Sequence, residues 1–211
     1  MKNLALQGKR VVMRVDFNVP INASGEITNT ARIDAALPTL QYVLHQGGHL
    51  VLMSHLGRPK KAVKAVKFGA DKDKSLKQIM STLEEKLSRS VVFVEDCGDA
   101  TLRASSLASN PSVVLLENLR FYPEEKKNDL AFAEQLASWG DVYVNDAFGT
   151  AHRAHASTAG IAQFFSPEHR AFGLLMQAEI DNANNALSQG NAPKVAILGG
   201  AKVSDKLMII E

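Results

Sequence analysis

The chain has 211 residues, 45% of them hydrophobic and 22% charged, and this composition excludes a disordered chain and predicts a globular one. A net charge of +2 gives no indication of nucleic-acid binding. The chain has a single cysteine, Cys97, so it cannot form an internal disulfide, and no Cys/His spacing matches a zinc site. No apolar run approaches the roughly 20 residues that span a bilayer and the N-terminus lacks the apolar stretch of a signal peptide, so we expect a cytoplasmic protein that binds neither membrane nor nucleic acid.

Short apolar runs rich in β-branched residues predict β-strands. They lie at 11–17, 49–53, 91–94, 113–116, 142–144 and 195–198. Between them, apolar residues recur at three- and four-residue spacing, which predicts helices at 31–46, 75–88, 101–108, 129–138 and 172–188, with Ser75 as an N-cap. Nearly continuous apolar strands that alternate with helices predict an α/β fold, a doubly wound, Rossmann-like parallel sheet with helices on both faces.

The last stretch of the chain has the pattern of a new domain. Residues 194–211 read as a buried strand, a turn at Gly199 and Gly200, and a helix start. Backbone N–H groups and the helix dipole both point at such a turn, which is typical of phosphate binding. We therefore expect an N-terminal domain at 1–171, a connecting helix at 172–189, and the first strand of a second, truncated α/β domain within 190–211.

Polar and cationic residues follow the predicted strands. In parallel α/β sheets, ligands bind beyond the carboxyl ends of the strands. The residues found there are Asp16, Phe17, Asn18, Ser54, His55, Gly57, Arg58, Glu117, Asn118, Arg120, Asn145, Asp146, His152, Arg153 and His155, with Arg32 at the start of the first helix. Because the planar guanidinium binds phosphate and carboxylate oxygens in pairs, the arginines predict an anion site.

Each of these residues also has an ordinary structural explanation. Asp16 and Asn18 precede a proline and could be turn formers, and Glu117 could pair with a neighbouring arginine. The histidines could be packed or at the surface, and the arginines could be solvated charges. Recurrence after successive strands favours a shared anion site, because independent solvated arginines need not gather at one edge.

Six segments, in this order, resemble the phosphoglycerate kinase family. They are RVDFNVP at 14–20, TARID at 30–34, SHLGRP at 54–59, LLENLRFYPEE at 115–125, VNDAFGTAHRAHAST at 144–158 and ILGGAKVSDKL at 197–207. The resemblance covers the whole chain. Members of the family are about twice as long and have two similar-sized domains, so this chain corresponds to the first domain and the start of the second.

The resemblance implies the residues of two binding sites. The first domain of the family binds 3-phosphoglycerate, and the matching positions are Asp16, Phe17, Asn18, Arg32, His55, Leu56, Gly57, Arg58, Arg120, His152 and Arg153. The GGAKVSDK segment implies nucleotide contacts at Gly200, Ala201, Lys202 and Lys206. Arg32 and Lys202 are implied to be the catalytic pair that stabilises the transferring phosphoryl group.

The resemblance also implies the reaction. Phosphoglycerate kinase, an enzyme of glycolysis, reversibly transfers a phosphoryl group from 1,3-bisphosphoglycerate to ADP, which gives 3-phosphoglycerate and ATP with Mg²⁺. The reverse nucleophile is a carboxylate with an ordinary pKa of roughly 3.5, so no general base is needed. The family further implies a monomer whose two domains close on each other.

Two alternatives remain at this point. The chain as it stands could be a 3-phosphoglycerate-binding module without catalysis, because most of the nucleotide domain is missing. It could also be another phosphosugar- or nucleotide-binding α/β protein with a similar sheet edge, although that would not explain the ordered set of motifs.

Overall fold

The structure, a computed structural model, describes residues 1–59 and 72–186. The chain divides into two compact units, Met1–Ala178 and Glu179–Glu211. Of the second unit, only residues 179–186 are described, and most of them belong to one helix. The predicted domain limits at 171/172 and 189/190 stay a prediction.

A parallel sheet of six strands forms the centre of the first unit. The strands are β1 (Arg10–Arg14), β2 (His49–Met53), β3 (Val92–Val94), β4 (Val113–Leu116), β5 (Val142–Asn145) and β6 (Arg170–Phe172). Their order across the sheet is β3-β4-β2-β1-β5-β6. The last residue of β1, Arg14, lies beside Met53 of β2 and Asn145 of β5, so these three strands end at the same level.

Helices surround this sheet. They are α1 (Ala31–His45), α2 (Met80–Leu87), α3 (Ala100–Ala108), α4 (Pro123–Lys127), α5 (Leu130–Ala137) and α6 (Leu174–Asn184). Side-chain caps fix several of their starts: the carboxylate of Asp99 accepts from the N–H groups of Thr101 and Leu102, and that of Asp129 accepts from Phe132.

Two apolar cores lie on opposite faces of the sheet, because successive side chains of a strand point to opposite sides. Val11 and Met13 of β1 belong to one core, together with Leu40 of α1. Val12, between them, belongs to the other core, where it is joined by Leu136 of α5. The predicted doubly wound parallel sheet with helices on both faces is therefore confirmed.

Several predicted boundaries are wrong in detail. The strand predicted at 11–17 ends at Arg14, because the chain then turns and the N–H of Phe17 bonds to Ser54 Oγ at 2.8 Å. Ser75 is the predicted cap, but it caps a 3₁₀ turn at Leu76–Ile79, and α2 begins only after that turn.

The region before α6 also differs from the prediction. The helix predicted from residue 172 begins at Leu174, because Arg170–Phe172 forms β6, a strand that the sequence did not predict. Arg170 and Phe172 are exposed, so β6 has no apolar run. The short helix α4 was also not predicted. The end of the predicted helix, at 187–188, and the predicted strand at 195–198 lie outside the described residues.

Within residues 1–59 and 72–186, no helix combines the length and the apolar character that a bilayer span requires.

Candidate functional site

A cleft of about 320 Å³ lies at the carboxyl edge of the sheet. β1 and β5 are neighbours in the sheet. The strand that follows β1 in the chain, β2, lies on the side of β1 away from β5, whereas the strand that follows β5, β6, lies on the side of β5 away from β1. The loops diverge between β1 and β5, and ligands of open α/β sheets bind at such a point. The residues that line the cleft are Asp16, Asn18, Arg32, His55, Gly57, Arg58, Arg120, Gly149, Thr150 and Arg153.

Most of the predicted substrate-binding residues line this cleft, but three do not. Phe17 and Leu56 are buried, and the Leu56 carbonyl accepts a hydrogen bond from Asn118 Nδ2 at 2.7 Å, so both residues support the loops behind the cleft. His152 is exposed, and its Nε2 accepts from Arg153 Nε at 3.2 Å. Gly149 and Thr150 line the cleft and were not predicted. Both residues belong to the segment VNDAFGTAHRAHAST at 144–158, so the resemblance of that segment could have identified them.

The peptide groups around Gly57 are held from two sides. Asn18 Oδ1 accepts from the N–H of Gly57 at 2.7 Å, and Arg120 Nη1 donates to its carbonyl at 2.8 Å. Gly57 has a φ of 61°, in the left-handed region that favours glycine. A Cβ there would also lie 2.5 Å from the side chain of Lys74. The loops after β1, β2 and β4 are therefore joined in one wall.

Arg32 stands at the rim of the cleft and is oriented by Asp16. The two side chains form an ion pair through Arg32 Nη1 and Asp16 Oδ2, and the Arg32 side chain is 50% exposed. Asp16 Oδ1 also accepts from the N–H of Asn18 at 3.2 Å. Because a guanidinium has five N–H donors, Arg32 retains donors for a second partner.

The electrostatic character of the cleft is cationic. Four arginines line it, Arg32, Arg58, Arg120 and Arg153, whereas Asp16 is the one carboxylate among the lining residues. Burial lowers the pKa of Arg120, and the neighbouring Arg153 lowers it further. A bound anion would relieve this repulsion between cations. The arrangement can therefore bind a ligand with more than one negative charge.

His55 is a buried wall of the cleft, with 4% of its surface exposed. Its pKa is lowered to about 2, first by burial and then by Arg14 and Arg120. The imidazole is therefore neutral at physiological pH, and it can act as a hydrogen-bond donor or acceptor but not as a cation.

Beneath the cleft lies a buried charged side chain, Arg14, which the sequence prediction missed. Only 1% of its surface is exposed. Its Nε donates to Ser157 Oγ at 2.9 Å, and Ser157 Oγ donates in turn to Glu125 Oε1 at 2.6 Å. Burial raises the pKa of Glu125, but His155, Arg14 and Ser157 outweigh burial and hold it below its usual value. The sequence signal is weak: Arg14 follows three apolar residues of β1, and the pattern does not show that its side chain is buried.

Other polar residues after the strands support the framework. Glu117 accepts from Ser75 Oγ at 2.6 Å and from the N–H of Leu76 at 2.8 Å, so its described partners are not arginines, contrary to one of the alternatives. Asp146 Oδ1 accepts from the N–H of Met176 at 3.0 Å, in the first turn of α6.

The predicted nucleotide-binding residues Gly200, Ala201, Lys202 and Lys206 lie outside the described residues. In the described ranges, no group of three or more His, Cys, Asp and Glu side chains is placed to hold a metal ion.

The sequence is similar to those of known proteins over its whole length. A family model described as phosphoglycerate kinase matches residues 1–211. The chain is 52% identical over 211 residues to the phosphoglycerate kinase of Moorella thermoacetica, and this covers 100% of the chain and 51% of that protein. It is 50% identical to that of Anaeromyxobacter dehalogenans, with 99% of the chain and 51% of that protein covered. The chain thus spans about half the length of the curated relatives it matches.

Solved structures agree with the sequence comparison. The phosphoglycerate kinase of Coxiella burnetii matches with a TM-score of 0.81 and 36% identity, over 100% of this chain and 50% of that one. The enzyme of Pyrococcus horikoshii matches with a TM-score of 0.82 and 31% identity, over 100% of this chain and 51% of that one. Because the family model matches residues 1–211, this chain belongs to the phosphoglycerate kinase family.

Proposed function

We propose that this chain is the 3-phosphoglycerate-binding part of a phosphoglycerate kinase, which reversibly transfers a phosphoryl group from 1,3-bisphosphoglycerate to ADP. The observation that carries the proposal is the arginine-lined cleft between β1 and β5 in a member of this family. A phosphate monoester brings a charge of about −1.5 to −2 near neutral pH, and the carboxylate adds a further negative charge. A cleft lined by several cations matches this ligand.

The lining residues suggest how the ligand is held. In the proposal, Arg58, Arg120 and Arg153 bind phosphate and carboxylate oxygens through their planar forks. The glycerate hydroxyl needs an acceptor as well as a donor, and Asp16 is the carboxylate that the lining offers. His55, which forms part of the wall, adds a neutral hydrogen-bond donor.

The remaining predicted residues have indirect roles in this proposal. Asn18 and Gly57 shape the wall through their mutual hydrogen bond. Phe17 and Leu56 hold the loops from behind, and His152 adjoins Arg153, to which it is hydrogen-bonded.

Phosphoryl transfer itself needs positioning and charge stabilisation. The attacking carboxylate of 3-phosphoglycerate is already ionised at neutral pH, so no side chain has to remove a proton. Arg32 and Lys202 are proposed to stabilise the transferring group, with Gly200, Ala201 and Lys206 as nucleotide contacts. Closure of the two domains of a complete enzyme would exclude water from the acyl phosphate. Mg²⁺ would arrive with the nucleotide.

In the same proposal, the protein is monomeric and cytoplasmic, acts in glycolysis and binds no nucleic acid. The net charge of +2 and the family membership support this view.

A second candidate function is favoured by the length of the chain. Because it spans about half the length of its relatives, the 211 residues by themselves could bind 3-phosphoglycerate without transferring phosphate. Turnover of ATP with 3-phosphoglycerate by the purified chain that is lost when Lys202 is replaced by alanine would contradict this candidate. Turnover that persists in the K202A variant would instead come from a contaminating kinase.

Isothermal titration of the chain tests the proposed site. We expect binding of 3-phosphoglycerate, weaker binding of glycerol 3-phosphate, which lacks the carboxylate, and weaker binding of glycerate, which lacks the phosphate. Replacement of Arg120 by alanine should abolish binding, whereas replacement of Arg103, which bonds to Ser138 in another part of the unit, should leave binding unchanged. A folded chain that binds none of the three compounds would contradict the proposal.

A further inference from the structure

The buried guanidinium of Arg14 joins groups from three separate segments of the chain. Its Nε donates to Ser157 Oγ at 2.9 Å, its Nη1 donates to the Val15 carbonyl, and its Nη2 lies 3.1 Å from Nδ1 of His55. Ser157 passes this contact on to the carboxylate of Glu125. The position of Arg14 is thus fixed at three of its nitrogens, all beneath the floor of the cleft.

The contact with His55 determines which ring nitrogen carries the proton. A guanidinium has donors and no acceptor, so Nδ1 of His55 must accept the hydrogen bond from Arg14 Nη2. In a neutral imidazole, one nitrogen accepts and the other carries the hydrogen. The hydrogen of His55 is therefore on Nε2, the ring nitrogen that is not occupied by Arg14. Among the described residues, no group is hydrogen-bonded to this Nε2, and His55 forms part of the cleft wall.

We propose that Arg14 is a positioning residue that holds His55 as its neutral Nε2–H tautomer, so that the cleft presents an uncharged hydrogen-bond donor among its arginines. The nature of the anion that receives this hydrogen bond rests on the proposed function, whereas the tautomer does not.

The surroundings of His55 keep the ring neutral. The charged or titratable groups that face it are Arg14 at the end of β1, Arg32 in α1, Arg120 after β4 and His155 after β5. Burial is the largest cause of the low pKa of His55, and the neighbouring cations are the next. They lower it because a positive charge on the imidazole beside them is unfavourable. The donor is therefore present across the physiological range of pH, and anion binding does not require protonation of the histidine.

The buried charge of Arg14 is balanced away from the cleft. Burial lowers its pKa, whereas Glu125 and Asp16 raise it. Because Ser157 accepts from Arg14 and donates to Glu125, Arg14 and Glu125 are linked without a direct contact between them. Arg14 can thus present Nη2 to His55 while its charge is compensated from behind.

Nuclear magnetic resonance of the ¹⁵N-histidine-labelled chain tests the tautomer directly. His55 is assigned by the loss of its signals in H55Q, and its ring shifts are followed from about pH 5 to about pH 8. We expect the Nε2–H pattern without titration over this range, and a shift of the Nε2 proton when 3-phosphoglycerate or inorganic phosphate is added. An Nδ1–H pattern, or a midpoint of titration within this range, would overturn the proposal.

The variant R14K tests whether Arg14 is responsible. Lysine retains the charge near Glu125, but its single ammonium cannot reach Ser157, Val15 and His55 together. We expect a mixture of both His55 tautomers and an affinity for 3-phosphoglycerate lowered about tenfold, the size of one hydrogen bond to a charged group. R103K, in α3, is the matched control and should change neither the tautomer of His55 nor the affinity for 3-phosphoglycerate.

The two readouts separate this proposal from the proposed function. If the labelled chain shows the Nε2–H tautomer but binds no 3-phosphoglycerate, the proposed function fails and the tautomer stands. If R14K is folded by circular dichroism and still shows only the Nε2–H tautomer, Arg14 is not the positioning residue. If R14K does not fold, the spectrum of the unsubstituted chain still decides between the two tautomers.

Discussion

The side-chain oxygen of Asn18 accepts a hydrogen bond at 2.7 Å from the backbone N–H of Gly57, and this contact joins the loop after β1 to the loop after β2. Arg120 donates to the carbonyl of the same glycine at 2.8 Å, which adds the loop after β4. Both contacts lie within the chain and fix the same peptide segment from two sides. A wall that is held by such contacts needs less ordering when an anion binds.

Replacement of Asn18 by alanine should therefore weaken anion binding. The N–H of Gly57 would lose its acceptor, and the loop after β2 would be less well ordered. We expect the dissociation constant for 3-phosphoglycerate to rise about tenfold, measured by isothermal titration. Asn22→Ala, which removes similar side-chain-to-backbone hydrogen bonds outside the cleft, is the control. Equal affinities of N18A and the unsubstituted chain would show that Asn18 is only a turn former.

Replacement of Arg32 by alanine should affect the rate more than the binding of substrate. Arg32 is half exposed and is paired with Asp16 at the rim, and in the proposed function it stabilises the transferring group. In a protein of the relatives' full length that contains this chain, we expect kcat to fall by about 100-fold or more with little change in KM. The exposed Arg89, replaced by alanine, is the control. An effect confined to KM would show that Arg32 only binds substrate.

The stability of the fold should depend on the ionisation of Glu117. Burial raises its pKa, and the hydrogen bonds from Ser75, Asn118 and Leu76 offset this only in part. An acid whose pKa is higher in the folded state than its unfolded value of about 4.3 binds more protons when folded. The free energy of unfolding therefore falls as the pH rises from the unfolded value through the folded one.

The variant E117Q measures this contribution, because glutamine does not ionise. In urea unfolding between about pH 4 and about pH 7, we expect the stability of E117Q relative to the unsubstituted chain to increase with pH. E85Q, at an exposed position of α2, is the control, and its free energy of unfolding should change with pH in the same way as that of the unsubstituted chain. A constant difference between E117Q and the unsubstituted chain would contradict the raised pKa of Glu117.

Replacement of Gly173 by alanine should destabilise the chain. A Cβ at this position would lie 2.2 Å from Oδ1 of Asp146, the atom that accepts from the N–H of Met176. The added methyl group would displace this buried carboxylate from the first turn of α6, at an expected loss of about 2 kcal/mol or more. Gly98→Ala, whose new methyl group would have its nearest neighbour at 3.4 Å, is the matched control. Equal thermal midpoints of G173A and G98A would contradict this packing.

The thiol of Cys97 should not react in the folded chain. Burial raises its pKa far above the usual value, so almost no thiolate is present near neutral pH. Its carbonyl also accepts from Nε1 of the buried Trp139 at 2.9 Å, which fixes this segment in the second core. We expect a thiol reagent to label Cys97 only as fast as the chain unfolds, so the rate should increase with urea. Rapid labelling without urea would show that the segment opens locally.

The sequence predicts the cleft better than the framework beneath it. Arg58, Arg120 and Arg153 are found from the sequence because they follow apolar strands, and the carboxyl ends of parallel strands meet at one edge. Arg14 could not be placed in this way. It is the last residue of β1 and does not follow the strand, and only the three-dimensional positions of Ser157 and His55 show why a charge is buried there.

The missed strand has a different explanation. β6 is three residues long, and its side chains Arg170 and Phe172 are exposed at the edge of the sheet, so no apolar pattern marks it. The backbone pairing with β5, in which Tyr143 lies beside Arg170, defines the strand instead. Such pairing depends on the register of distant segments, and a local sequence pattern does not contain it.

The contacts of Arg14 also determine when the cleft can form during synthesis. His55 is 41 positions away from Arg14 along the chain, and Ser157 is 143 positions away. A growing chain that has not yet reached Ser157 would have to bury the guanidinium without its link to Glu125, which is unfavourable for an uncompensated charge. Arg14 therefore leaves the ribosome well before Ser157, and the floor of the cleft matures only after the 143 positions up to Ser157 have followed.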